Sequence, residues 1–291
     1  MVSGEGREMA RIVVGIDGSP GSDDALRWAV REAQLRSAEI ELVHAYVVEA
    51  QRAPLVAAHR DLADHTVQQV IDRHRNLLDK VKWSSRLVPL LSSSFSGALV
   101  RAGEDADLSV VGSRGIGGFN ELLMGSTSYR TAAHATCPVA VVRGAEQSLA
   151  TTIEVGVDDS RSARGALQWA LDEAALRSGG VTVVHGYFVP DPVLASGIYA
   201  SGQLERVQGE ARDEAHALVD RLLGLVDVPA GVAVERIVAA GSPAQALLRE
   251  TTTPRLTVVG TTGRGAMGRA VMGSVSHQVL HHAGWPVVVV P

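Results

Sequence analysis

Cysteine is almost absent from this 291-residue chain. Cys137 stands alone, which excludes an internal disulfide framework and fits a reducing compartment. Lysine is nearly as scarce: Lys80 and Lys82 are the only two, arginine supplies the rest of the 27 basic residues, and 32 acids bring the net charge to −5. Those basic residues are scattered and aromatics make up 4% of the chain, so the basic and aromatic platform of a nucleic-acid binder is missing. No apolar run reaches the roughly 18 residues that a membrane span needs. The polar stretch Met1 to Glu8 lacks the apolar core of a secretion signal. The expectation is a cytoplasmic globular protein, and the length suits two domains of roughly 150 residues each.

Several catalytic and nucleotide motifs are also lacking. A Walker A loop needs Gly-Lys, and no such pair occurs. There is no G-x-S-x-G elbow and no H-E-x-x-H. Gly263-Arg264-Gly265-Ala266-Met267-Gly268 does spell G-x-G-x-x-G, but after the fourth strand of its half and with no acid following to hold a ribose, which argues against a dinucleotide fold.

What is present is one stretch, twice. Val110-Val111-Gly112-Ser113-Arg114-Gly115 is followed after nine residues by Gly125-Ser126-Thr127-Ser128, and Val258-Val259-Gly260-Thr261-Thr262-Gly263 by Gly273-Ser274-Val275-Ser276 at the same spacing. Each reads as a strand, a glycine loop of pattern G-x2-G-x9-G-S, and a helix start. Glycines let a backbone approach a ligand closely, and a helix N-terminus offers unpaired N–H groups to an anion. A phosphate is the ligand this pattern suits.

The first half places a strand over Arg11 to Asp17, a helix from Pro20 to Arg36 and a strand over Glu39 to Val47. A helical region from Leu55 to Lys80 leads to a strand at Arg86 to Leu91, then a short helix from Phe95 to Gly103. A fourth strand at Ala106 to Gly112, the loop, a helix from Ser126 to Ala135 and a strand at Cys137 to Arg143 complete the unit. Strands alternating with helices predict a parallel sheet covered on both faces.

The pattern then restarts. Asp158, Trp169 and His185 repeat Asp17, Trp28 and His44 at an offset of 141, whereas Gly260 and Gly273 repeat Gly112 and Gly125 at 148. The difference implies a seven-residue insertion, placed most simply between Pro190 and Gly231. The expected domains are residues 9–143 and 151–291 with a linker at 144–150, and a duplication of this kind usually packs as a pseudo-two-fold pair.

Together these residues resemble the universal stress protein family in its tandem, actinobacterial-like form. The resemblance rests on an Asp closing strand one in G-[IV]-D-x-S, a Val-His at the end of strand two, the glycine loop, and the closing strand Cys137-Pro138 or Trp285-Pro286 with its valines. It implies two five-stranded parallel sheets of order 3-2-1-4-5 with helices on both faces, and an ATP site in each, where the nucleotide could carry Mg²⁺. The family makes a homodimer plausible, although the duplication could already satisfy that interface.

Carried over by position, the resemblance implies nucleotide contacts at Gly15, Ile16 and Asp17, at Gly112, Ser113, Arg114, Gly115, Ile116, Gly117 and Gly118, and at Gly125, Ser126, Thr127 and Ser128. In the second half it implies Gly156, Val157 and Asp158, then Gly260, Thr261, Thr262, Gly263, Arg264, Gly265 and Ala266, then Gly273, Ser274, Val275 and Ser276. The Asp would hold the nucleoside end; the loop and hydroxyls would hold the phosphates.

Each feature also has a plainer reading. The Asp and Ser residues could be helix caps; His44 and His185 read as buried, hydrogen-bonded histidines; Cys137 reads as core filling. His277 and His281 have the i, i+4 spacing of a zinc pair, but no third ligand is evident. From Thr251 to Pro291 there is no acid, whereas Glu121 lies inside the first loop, so the second site is expected to bind ATP at least as tightly. Ser93-Ser94-Phe95-Ser96 stands where the second half has Gly241-Ser242-Pro243-Ala244, a departure beside the first site. Three functions follow in order: an ATP-binding regulatory protein whose occupancy sets shape or partner choice, a slow ATP hydrolase, and a nucleotide-free assembly module.

Overall fold

The structure is a computed structural model that describes residues 9–48, 53–91, 94–115, 124–144, 150–188, 203–249, 255–263 and 272–291, with backbone only for 53–55. The chain divides into two compact units between Ser148 and Leu149.

Unit 1 runs β1 (Arg11–Gly15), α1 (Pro20–Arg36), β2 (Glu39–Val47), α2 (Ala53–Leu78), β3 (Trp83–Leu90), α3 (Phe95–Ala102), β4 (Leu108–Gly112), α4 (Ser126–His134) and β5 (Val139–Val142). Its strands are parallel, in the order β3-β2-β1-β4-β5. Unit 2 runs β6 (Thr152–Gly156), α5 (Arg161–Leu176), β7 (Gly180–Tyr187), α6 (Gln203–Leu223), β8 (Ala233–Ala240), α7 (Pro243–Leu248), β9 (Arg255–Gly260), α8 (Ser274–His282) and β10 (Val287–Val290). Its parallel order, β8-β7-β6-β9-β10, is the same arrangement. The doubly wound α/β fold that the alternating pattern implies is therefore present in each unit.

Central strands are buried on both faces, which is why they read as unbroken apolar runs rather than alternating ones. Every residue of β4, β5, β9 and β10 is buried. Helix α1 starts at Ser19, whose hydroxyl accepts the Ser22 N–H at 3.2 Å, with Pro20 in the first turn. It lays Ala25, Trp28, Ala29 and Ala33 into the core. Helix α5 is started the same way by Ser160, which accepts the Ala163 N–H at 3.1 Å. Among the described residues no helix is long and apolar enough to cross a membrane.

Two sequence expectations are corrected. Strand β3 begins at Trp83, not Arg86, because Trp83, Ser84 and Ser85 pair with Ile40, Glu41 and Leu42 of β2. These residues are exposed on an edge strand, and Trp83 alone of the three is apolar, so they make no alternating pattern. The insertion is also more than a single step. Ile40 faces Trp83 and Val181 faces Val234, so the copies stand 151 residues apart at their third strands. The offset returns to 148 at the following caps, Ser94 and Ser242. The second copy turns more tightly there through Gly241, whose φ of +104° a side chain would oppose.

Candidate functional site

In unit 1 the chain leaves β1 toward β2 and leaves β4 toward β5, in opposite directions, although β1 and β4 are neighbours. Strands β6 and β9 form the same switch point in unit 2. A crevice opens at such a point beyond the carboxyl ends of the strands, and ligands of open α/β sheets bind there. Asp17 and Asp158 follow β1 and β6; the glycine loops follow β4 and β9.

The crevice brings these segments into contact. A Cβ on Gly115 would lie 2.3 Å from Oδ2 of Asp17, and one on Gly263 would lie 2.9 Å from Oδ2 of Asp158. The other carboxylate oxygen accepts a backbone N–H two residues on, Ser19 or Ser160, at 3.0 Å in both units. Each Asp is thus held by the turn that starts the helix, with its second oxygen against the loop.

The remaining glycines divide by role. Gly112 and Gly260 let the first turn of α1 or α5 lie on the strand end: a Cβ there would meet the Gly21 carbonyl at 2.3 Å or the Ser162 hydroxyl at 2.7 Å. Gly15 and Gly156 face Leu99 and Leu247 of the covering helices. The start of each loop is tied down as well. Ser113 and Thr261 extend the sheet by donating N–H bonds to Val142 (2.9 Å) and Val290 (2.8 Å). The Arg114 carbonyl accepts Ser19 Oγ at 3.4 Å, and that of Thr262 accepts Ser162 Oγ at 2.5 Å.

Gly125 and Gly273 cap α4 and α8 with extended φ/ψ and no side-chain hydrogen bond. The first rungs run from Tyr129 N–H to Gly125 (3.1 Å) and from His277 N–H to Gly273 (2.9 Å). The N–H groups of Ser126, Thr127 and Ser128, and of Ser274, Val275 and Ser276, therefore have no carbonyl within their own helix. Ser128 and Ser276, expected to offer hydroxyls to phosphate, instead donate them to the Gly112 and Gly260 carbonyls, at 2.6 and 2.5 Å. Ser126 and Ser274 are exposed. Ile116, Gly117, Gly118, Glu121, Arg264, Gly265, Ala266 and Arg269 lie outside the described residues.

In unit 2 these parts line one cleft of about 380 Å³. Gly156, Val157 and Asp158 meet Gly260, Thr262, Gly263, Gly273, Ser274, Val275 and Ser276 there, together with His185, Gly186, Pro243, Val259, Ala163 and Met272. The volume falls in the usual range of small-molecule sites, about 300–1,000 Å³. Pro243 belongs to the segment noted as a departure between the halves, yet Ser94 and Ser242 do the same job. Each caps its helix, accepting Gly97 N–H at 3.1 Å and Gln245 N–H at 3.5 Å.

His44 and His185 each place Nδ1 2.8 Å from a carbonyl, that of Ile16 or Val157, just before the Asp. Both are hydrogen-bonded as expected, but only His185 is buried, His44 being half-buried, and His185 also reaches the cleft. Arg143 also lies close to the first loop. It follows Val142, which accepts the Ser113 N–H, and burial together with the Arg114 charge pushes its guanidinium below the usual arginine range. A second cation beside the first loop could have been found only from the strand register. His277 and His281 stack with centroids 4.4 Å apart. Cys137 is buried, which pushes its thiol up against the opposing hydrogen bond with Ser109.

Two doubly wound α/β units, each with an Asp and a glycine loop at its switch point, define the class. The chain belongs to the universal stress protein family, which it matches over residues 9–143 and 150–291. A universal stress protein of Mycolicibacterium smegmatis is 32% identical over 289 residues, covering 96% of each chain. The crystal structure of a universal stress protein from Archaeoglobus fulgidus is similar in fold, with a TM-score of 0.69 at 18% identity, covering 98% of this chain and 99% of that one. A shorter solved structure, a universal stress protein in complex with cAMP, is 25% identical and covers 46% of this chain and 96% of its own, with a TM-score of 0.38.

Proposed function

We propose that this universal stress protein binds ATP, one molecule per unit, and acts in the cytoplasm by coupling occupancy to its conformation or choice of partner. One observation carries the reading: the unit 2 cleft joins the Asp158 carboxylate to Gly263 and the unpaired amides at the start of α8. The two ends differ in chemistry. Carboxylate oxygens accept hydrogen bonds, which suits the hydroxyl and amino donors of a nucleoside. The helix N-terminus supplies donors and positive potential, which suits phosphates. The reverse orientation would set polyphosphate against a carboxylate, a repulsion that grows in a half-enclosed cleft. Unit 1 carries the same Asp, glycine and amide arrangement around Asp17, Gly115 and α4. Mg²⁺ would travel with the phosphates.

Extraction of the freshly purified chain, followed by mass spectrometry of the released small molecules, tests the reading. Adenine nucleotide is expected, in amounts up to one per unit. Protein that releases none and takes up none when ATP is added would overturn it.

A further inference from the structure

We propose that His185 selects the ligand of the unit 2 cleft, requiring an N–H or O–H donor opposite its Nε2. The proposal rests on the nucleotide reading above and deepens it. His185 is 7% exposed and lines the cleft. Its Nδ1 stands 2.8 Å from the Val157 carbonyl. A carbonyl can only accept, so Nδ1 carries the proton, and in the neutral ring Nε2 is left as a bare acceptor. Among the described residues the ring's one polar contact is that carbonyl. Nε2 is the ring's other polar atom, bonded to no described residue, on a ring that lines the cleft.

The tautomer is set by the fold rather than by the ligand. An acceptor left unpaired beneath a bound ligand is unfavourable, so a ligand that brings a donor is preferred over one that brings a carbonyl or nothing. His44 makes the same 2.8 Å bond to the Ile16 carbonyl in unit 1, so the same tautomer is set in both copies. On a nucleotide the donor is either the 6-amino group of the base or a ribose hydroxyl.

Calorimetric titration of the full chain with ATP, inosine triphosphate, 2′-deoxyATP and 3′-deoxyATP separates these sources. The wild-type chain is expected to bind the analogue that lacks the donor about tenfold more weakly than ATP. In the His44→Asn/His185→Asn double variant the amide N–H replaces Nδ1–H and nothing replaces Nε2, so the preference should vanish while thermal stability is kept. His185→Gln, with an amide oxygen near the Nε2 position, should retain it in unit 2. A further readout needs no variant: the ¹⁵N resonance of His185 Nε2 should move on adding ATP and stay in place on adding the poor analogue. Unchanged selectivity in the Asn variant, or a resonance unmoved by ATP, would overturn the proposal while leaving ATP binding intact. A wild-type chain that binds none of the four would overturn the nucleotide reading itself.

Discussion

A Cβ on Gly263 would sit 2.9 Å from Oδ2 of Asp158. Residues from the ends of two different strands are thereby joined at one point, and the same pair, Gly115 and Asp17, closes at 2.3 Å in the first unit. The glycine is needed here because the carboxylate occupies the space a side chain would fill.

Gly115→Ala and Gly263→Ala should each displace the neighbouring carboxylate and weaken ATP binding at that site by about tenfold or more, through lost alignment rather than unfolding. The second segment from Thr251 onward has no acid, whereas Glu121 lies in the first loop. The Gly263 change is therefore expected to remove more of the total binding. Calorimetry on both variants measures this, and a larger loss from Gly115→Ala would contradict the ranking.

Ser276→Ala removes a buried hydroxyl that donates to the Gly260 carbonyl. The expected result is a stability loss of about 1–3 kcal/mol, because a buried acceptor is left unpaired, with ATP affinity little changed. Ser128→Ala should act alike in unit 1. Urea denaturation alongside ATP titration distinguishes this from a hydroxyl that holds phosphate, whose loss would lower affinity and spare stability.

Glu154 and Arg255 are each 3% exposed and pair at 3.1 Å, with Arg249 on the other carboxylate oxygen. Arg255 also lies 3.7 Å from the Trp285 ring centroid. Burial pushes the Arg255 guanidinium down while Glu154 holds it up. Glu154→Gln leaves that charge without its partner and should destabilise unit 2 by about 3–5 kcal/mol. The exposed pair Arg75–Asp72 is the control: Asp72→Asn should leave the urea midpoint unchanged.

Cys137 is the chain's single thiol, is buried, and has its ionisation pushed up by burial. At neutral pH it should react with an alkylating reagent only as unit 1 opens. Labelling rate against urea concentration would then follow the unfolding of unit 1. Rapid labelling of the native protein would contradict its placement.

The order of elements, and the strand ends at which the Asp and the glycine loop stand, were legible because parallel strands buried on both faces leave unbroken apolar runs, and Gly-Ser-Pro or glycine clusters end them. The edge was not. Trp83, Ser84 and Ser85 join β3 through backbone pairing alone, and no side-chain pattern announces that. The Asp and glycine could be matched by position, but their contact could not, since it depends on β1 and β4 lying side by side. Side-chain roles were the least legible part. Whether Ser276 points to a phosphate or to a strand carbonyl depends on a residue 16 positions away, and the His185 tautomer depends on one 28 positions away.

Asp17→Asn with Asp158→Asn is the most direct test of the account, because an amide oxygen can still accept the N–H of Ser19 or Ser160 and keep the turn. Calorimetric titration with ATP should give saturable binding of one nucleotide per unit in the wild-type chain and a loss of at least about tenfold in affinity in the double variant, with thermal unfolding little altered. Absent binding in the wild-type chain, or undiminished binding in the double variant, would contradict it.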